Sequence, residues 1–263
     1  MYSYGYGGET SLSPWTAAPA RVDYYFRSGK DVYERDIDLG QQIRKQFPTV
    51  SKATHLRDIF TERAARYLAH QAGIKHFLLL GAGFDPPLYE HYEALGSPRI
   101  VYVTDDVVVR THGDARWSEH AQWVMGGLAC PAEVLANDTV RLGLDLDRPI
   151  AVMLTSTLEY MVNDGDASES VRALVDALAP GSYVVACHVT KDFAEDAMEC
   201  VERTYRGGGI GYRMRSRSEF EALLDGLELL EPGIVPPHEW WPDGPDGPRA
   251  EEVNMWAAVA RKA

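Results

Sequence analysis

The stretch FLLLGAGFDPP, residues 77–87, constrains the fold more than any other part of the chain. Apolar residues run without alternation from Phe77 to Leu80, meet Gly81-Ala82-Gly83, and are broken soon after by two prolines. An unbroken apolar run bounded by turn residues reads as a strand buried on both faces, the kind found in parallel sheets covered by helices on each side. Glycines directly after it allow positive φ in a strand-to-helix turn. A second buried run, RIVYVTDD, follows after sequence compatible with a helix.

The same alternation continues. SKATHLRDIFTERAARYLAHQAG places Leu56, Ile59, Phe60, Ala64, Tyr67 and Leu68 at helical spacing, with Gly73 as the stop. DRPIAVMLTSTLEYM reads as a strand running into a loop, SESVRALVDALAPG as an amphipathic helix, and SYVVACHVT as the next strand. Ser216 and Glu219 have capping-box spacing before a further helix, and VNMWAAVARK closes the chain as a strand. These elements predict an α/β protein with a Rossmann-like, doubly wound, mainly parallel sheet and an N-terminal helical elaboration. One domain is expected over residues 21–263, with a helical cover at 21–73 and the Rossmann-like core at 74–263. Residues 1–20, rich in Tyr, Gly and Ser, read as a flexible arm.

In such a sheet the ligand crevice lies beyond the carboxyl ends of the strands, at the point where strand order reverses. That rule gathers residues 81–85, 104–106, 126–128 and 154–159 around one cavity. Composition narrows the ligand. A net charge of -13 argues against a nucleic-acid partner, because phosphate binding needs a basic surface. There is no apolar run long enough for a transmembrane helix, and the N-terminus lacks the basic start and apolar stretch of a signal peptide. Cys130, Cys187 and Cys200 have no metal-ligand spacing and form no even disulfide set. A cytoplasmic protein is expected, with no metal, no membrane and no nucleic acid.

Several segments, in order, match a known pattern. ARVDYYFRSGKD, RAARYL, LDRPIAVMLTSTLEYM, ALAPGSYVVACHVT and LDGLELLEPGIVPPHEWWPD resemble the DUF574-like branch of class I S-adenosylmethionine-dependent methyltransferases over residues 20–262. In that family a tyrosine-rich segment precedes a Gly-Gly-Lys-Asp-Asn turn, and this chain has Ser28-Gly29-Lys30-Asp31-Val32 there. The resemblance implies S-adenosylmethionine as cofactor, near Gly81, Ala82, Gly83, Asp85, Thr104, Asp105, Asp106, Gly127, Leu128 and Thr155. It also implies that the N-terminal turn folds over the crevice, with Arg21, Tyr24, Tyr25, Lys30 and Asp31 toward the substrate.

Three positions depart from the family pattern, which has aspartate where this chain has Leu79, Thr104 and Gly127. Those acids are expected near the methionine amine, the ribose hydroxyls and the adenine amine. Each such charge-assisted hydrogen bond contributes about 1.5–3 kcal/mol, so a divergent cofactor site is expected, with Asp105 one residue beyond the usual ribose acid. Two candidate bases end central strands: Glu159, where the family typically has histidine, and His188, each of which also reads as a structural residue. Besides methyl transfer, two other readings stay open, a non-methylating enzyme (cyclisation, elimination or rearrangement) and a non-catalytic binding protein.

Overall fold

A computed structural model describes residues 14–242, 244 and 247–263. In chain order the elements are α1 (Pro19–Phe26), α2 (Glu34–Gln46), α3 (Val50–His70), β1 (His76–Leu80), β2 (Arg99–Thr104), α4 (Val107–Trp117), β3 (Ala121–Met125), α5 (Pro131–Ala136) and α6 (Asp138–Gly143). They continue with β4 (Ala151–Leu154), α7 (Asp164–Asp176), β5 (Tyr183–Val189), α8 (Glu195–Gly207), α9 (Arg217–Ala222), β6 (Glu228–Leu229) and β7 (Met255–Arg261). The sheet has the order β3-β2-β1-β4-β5-β7-β6. Strands β1 to β5 are parallel, whereas β7 runs antiparallel to both β5 and β6. This is the expected Rossmann-like α/β class. Strand order reverses between β1 and β4, which opens a crevice above their carboxyl ends.

The unalternating run in β1 has a simple packing cause. Phe77 and Leu79 join the core on one face of the sheet, while Leu78 and Leu80 join the core on the other. The first face is covered by α1 to α4 and α8, the second by α5, α6, α7 and α9. Period-two geometry sends successive side chains to opposite faces, so burial on both demands an apolar residue at every position.

Some local expectations need correction. The link between β1 and β2 holds turns and no helix, because Pro86 and Pro87 interrupt it and Tyr89 and Tyr92 pack against Trp117 and His120. Strand β3 was not legible: as an edge strand it exposes Gln122 and Met125, which breaks up its apolar run. Helix α8 was also unread. The arm expected over residues 1–20 falls mostly on residues outside the described ones, and its end is ordered, since α1 begins at Pro19. The capping box did form: Ser216 Oγ accepts from Glu219 N at 3.3 Å, and Glu219 Oε2 accepts from Ser216 N at 2.7 Å.

The N-terminal helices are tied to the sheet through buried charge. Arg21, fully buried, donates from Nε to Asp36 of α2 at 2.9 Å and from Nη1 to Asp106 at 3.2 Å. Asp36 also accepts from the backbone N–H groups of Ala18 and Tyr33, both at 2.9 Å. Asp106 caps α4, accepting from Val108 N at 2.8 Å and Val109 N at 3.4 Å. Replacing one member of such a group leaves the others charged and unpaired in a low-dielectric interior. Arg21→Met is therefore expected to cost about 3–5 kcal/mol in denaturant-induced unfolding. A loss under about 1 kcal/mol would mean that water already solvates the two carboxylates.

Candidate active site

A cavity of about 280 Å³ lies above the carboxyl ends of β1, β2 and β4. Gly81, Ala82, Gly83, Asp85, Thr104, Asp105, Gly127, Leu128 and Thr155 all line it, as the sequence predicts. The turn after β1 is anchored to β2 by a hydrogen bond from Ala82 N to Val103 O at 2.9 Å. Gly81 has φ +75°, and a Cβ there would stand 2.7 Å from the Ser156 carbonyl oxygen, so no larger residue fits. At Gly83 and Gly127, by contrast, an added Cβ would meet no atom within 4 Å. Those two glycines are not there to relieve a clash.

The N-terminal cover is present, but a different face of it meets the cavity. Pro19, Ala20 and Asp23 of α1 and its C-cap Arg27 line the space, at the spacing of one helix face. The residues expected toward the substrate are engaged elsewhere. Arg21 holds the buried bridge to Asp36 and Asp106, and Asp106 itself is spent on that bridge and on capping α4. Tyr24 stacks on Phe84 with ring centroids 4.7 Å apart, and Tyr25 lies beneath the Arg44 guanidinium at 4.8 Å. Lys30 and Asp31 are exposed in the loop after α1 and do not line the cavity.

Sequence reading missed five charged residues in the cavity wall, Glu133 and a cluster of four. Asp23 of α1 pairs with Arg27 at 3.0 Å and with Arg57 of α3 at 2.9 Å, while Arg27 also binds Asp58 at 2.8 Å. Arg57 Nη1 reaches Ser156 Oγ in the loop after β4 at 3.2 Å. Burial raises the Asp23 carboxyl, but the two guanidiniums outweigh it and hold the group below its usual range. A signal existed. Arg57 occupies the buried stripe of Ala53, Phe60, Ala64 and Leu68, and a charge in an apolar stripe demands a partner.

Of the two candidate bases, the structure separates their environments sharply. His188 is buried with Nε2 accepting from Arg215 Nη1 at 2.9 Å. Burial and the neighbouring Arg215 hold its imidazole well below the ordinary value, so it stays neutral with its basic nitrogen already engaged. It lines neither the large cavity nor the small space described below, and its catalytic assignment is corrected to a structural one.

Glu159 sits in the short helical turn Leu158–Tyr160 that follows β4, and Arg215 fixes this turn. Its Nη1 donates to Leu158 O at 2.9 Å, its Nη2 to Met161 O at 2.7 Å and its Nε to Asp164 at 2.9 Å. The Glu159 side chain does not line the large cavity. It faces a small space of about 30 Å³ that shares Asp23, Arg57 and Tyr160 with the large one. Its Oε2 is buried without a hydrogen-bond partner. Burial pushes the carboxyl up to about 7, against the pull of its own backbone N–H and of Arg57. Cys187 is buried in the core with Sγ 3.8 Å from Met255 Sδ, and burial raises its thiol, as suits a packing residue.

Residues 8–263 match the model of a family described as S-adenosyl methyltransferase. A DUF574 family protein from Streptomyces avermitilis is 33% identical, with a TM-score of 0.89 over 94% of this chain and 98% of its own. A candidate methyltransferase from Thermobifida fusca is 30% identical, with a TM-score of 0.89 over 96% of this chain and 97% of its own. No curated protein matches.

The raised carboxyl has a measurable consequence. A group whose folded pKa exceeds its unfolded one, here about 7 against 4.5, contributes stability below about pH 4.5 that is lost as pH rises through about 7. Glu159→Gln removes that loss. Its stability relative to wild type should climb between pH 5 and 7 toward a gain of about 3 kcal/mol at pH 8. A gain that does not vary with pH would show that Glu159 does not titrate in this range.

Proposed function

We propose that this chain, which belongs to the S-adenosyl methyltransferase family, binds S-adenosylmethionine in the large cavity and methylates a small molecule. The observation that carries the reading is the crevice at the β1/β4 switch point, lined by the Gly81-Ala82-Gly83 turn, Asp105 and Gly127. Such a crevice is where doubly wound sheets hold nucleotide-like ligands.

The charges lining the cavity suit a cationic ligand. Asp23, Asp58, Asp85, Asp105 and Glu133 outnumber the two guanidiniums of the lining, Arg27 and Arg57, even with Arg116 reaching Asp85 from outside it at 3.9 Å. When bound, S-adenosylmethionine supplies an electrophilic methyl on a positively charged sulfur. In this reading Asp105 takes the ribose hydroxyls in place of the residue at Thr104, whose hydroxyl already accepts from Asp106 N at 3.3 Å. Leu79 removes the acid expected beside the methionine amine, and the Asp23 and Asp58 carboxylates, brought in by α1 and α3, stand on the cavity wall instead. Helices α1 and α3 roof the crevice and keep bulk water from the reacting groups. Positioning and water exclusion are the main sources of acceleration for an in-line transfer.

Gly83→Val separates binding from folding, since its side chain enters open space. Thermal unfolding should be unchanged while the affinity for S-adenosylmethionine, read by calorimetry, falls at least tenfold, about 1.4 kcal/mol. Asp105→Ala should weaken the same binding by about 1–3 kcal/mol. No heat of binding to wild type at millimolar cofactor would exclude free energies tighter than about -4 kcal/mol and end the methyl-transfer reading. Turnover of a substrate by a protein that binds no cofactor would favour a non-methylating enzyme.

A further inference from the structure

The small space beside the cofactor cavity is built like a receptor for a single polar group. Apolar side chains, among them Phe26, Phe47, Met198 and Met255, make up much of its wall. Into this lining project the unpartnered Oε2 of Glu159, the Arg57 guanidinium and the tyrosines at 160, 205 and 212. Tyr205 and Tyr212 stack with centroids 4.0 Å apart and rings 7° from parallel, and Tyr160 meets Tyr212 edge-on at 5.5 Å. The volume of about 30 Å³ admits roughly two water-sized groups, so only the tip of a larger molecule fits. Asp23, Arg57 and Tyr160 border both spaces, so the small space adjoins the large cavity across these side chains.

We propose that this chamber receives the hydroxyl of a small neutral phenol, with Glu159 Oε2 accepting its proton as the acceptor-side base. The proposal rests on the methyl-transfer reading above. Charge selects the head group. A carboxylate or an ammonium would meet one charge of like sign and one or more of opposite sign among Glu159, Asp23 and Arg57, and either would have to give up its water in a largely apolar lining. A neutral hydroxyl avoids most of that cost. It also satisfies the orphaned acceptor, whose burial without a partner is otherwise unfavourable. Acidity selects the phenol among hydroxyls. A carboxylate raised toward neutrality can share the proton of a group that ionises near pH 10, as tyrosine does, far better than that of an alkanol. In the step, the new bond joins oxygen to the methyl carbon as the carbon–sulfur bond breaks. The sulfur keeps that electron pair, the hydroxyl proton ends on Glu159, and Arg57 faces the negative charge that grows on oxygen.

Other groups bear on Glu159 from the packed elements: Asp23 on α1, Arg57 on α3, Arg215 beside its own turn, and the tyrosines at 160, 205 and 212. The tyrosines are driven toward higher pKa by burial and stay neutral, which leaves Glu159 as the group that titrates near neutrality.

The test uses the whole protein and three probes of like shape: phenol, benzylamine and benzoate. Ligand-observed NMR should find phenol bound at least tenfold more tightly than the other two. In protein labelled with ¹³C at glutamate carboxyls, the resonance lost in Glu159→Gln should shift when phenol is added. Glu159→Leu should abolish phenol binding. Glu159→Gln keeps an acceptor oxygen and should hold phenol within a few-fold of wild type, while methyl transfer to phenol falls by about 100-fold or more. Calorimetry with S-adenosylmethionine, run on each variant, should give unchanged affinities. Equal binding of the three probes, phenol binding that survives Glu159→Leu, or full turnover by Glu159→Gln would overturn the proposal while leaving cofactor binding intact. Loss of cofactor binding in wild type would overturn both readings together, and the calorimetric arm tells the two failures apart.

Discussion

Arginine side chains buried between the N-terminal helices and the sheet are the joints on which this molecule depends. Arg21 ties α1 to α2 and to the N-terminus of α4, and Arg57 ties α3 to α1 and to the loop after β4. A guanidinium suits this work because its fork of donors reaches several acceptors at once and never loses its charge. Ion pairs of this kind add little net stability over a well-packed apolar alternative, yet they are costly to break and fix which elements meet. Here they set α1 and α3 over the carboxyl ends of the strands, and this placement encloses the crevice.

The same joints define the electrostatics of the site. Arg27 and Arg57 neutralise Asp23 and Asp58, so four charges coexist in the cavity wall without an unpaired one. Asp105 and Glu133 also line the cavity, as does Asp85, which Arg116 reaches at 3.9 Å. Glu159 lies just outside this balance. It feels Arg57 without hydrogen-bonding to it, and burial dominates its ionisation. Two carboxylates a few residues of wall apart, Asp23 and Glu159, are thereby pushed in opposite directions. Groups held in that way are a common physical mark of a reacting site.

Parts of this arrangement were readable in advance because they follow from local pattern. The glycine turn after β1 and Asp105 at the end of β2 line the cavity, since the ends of parallel strands converge by topology, and Gly127 and Leu128, which the resemblance pointed to, line it as well. The N-terminal cover was also foreseen, but its contacts were not. Tyr24, Tyr25, Lys30 and Asp31 drew attention as a motif, whereas the rotation of α1 turned Asp23 and Arg27 inward. Helix phase about the axis depends on what the opposite face packs against, and Tyr24 on Phe84 and Tyr25 under Arg44 settle it. His188 misled for a related reason. A histidine at a strand end looks available until a distant arginine, Arg215, is found on its nitrogen.

Pattern along the chain is enough for the class of sheet, the place of the crevice and the family. Those rest on short-range signals: unalternating apolar runs, glycines at a turn, and ordered motifs. Tertiary structure alone decided which charges face the ligand. Asp106 and Asp105 are neighbours in the chain, yet one is buried on Arg21 and the other lines the cavity. Their difference comes from alternation at the end of β2 and from an arginine 85 residues earlier in the chain. Pairing over such distances leaves no periodic trace, because the partner's position is fixed by packing of whole elements rather than by spacing along the chain.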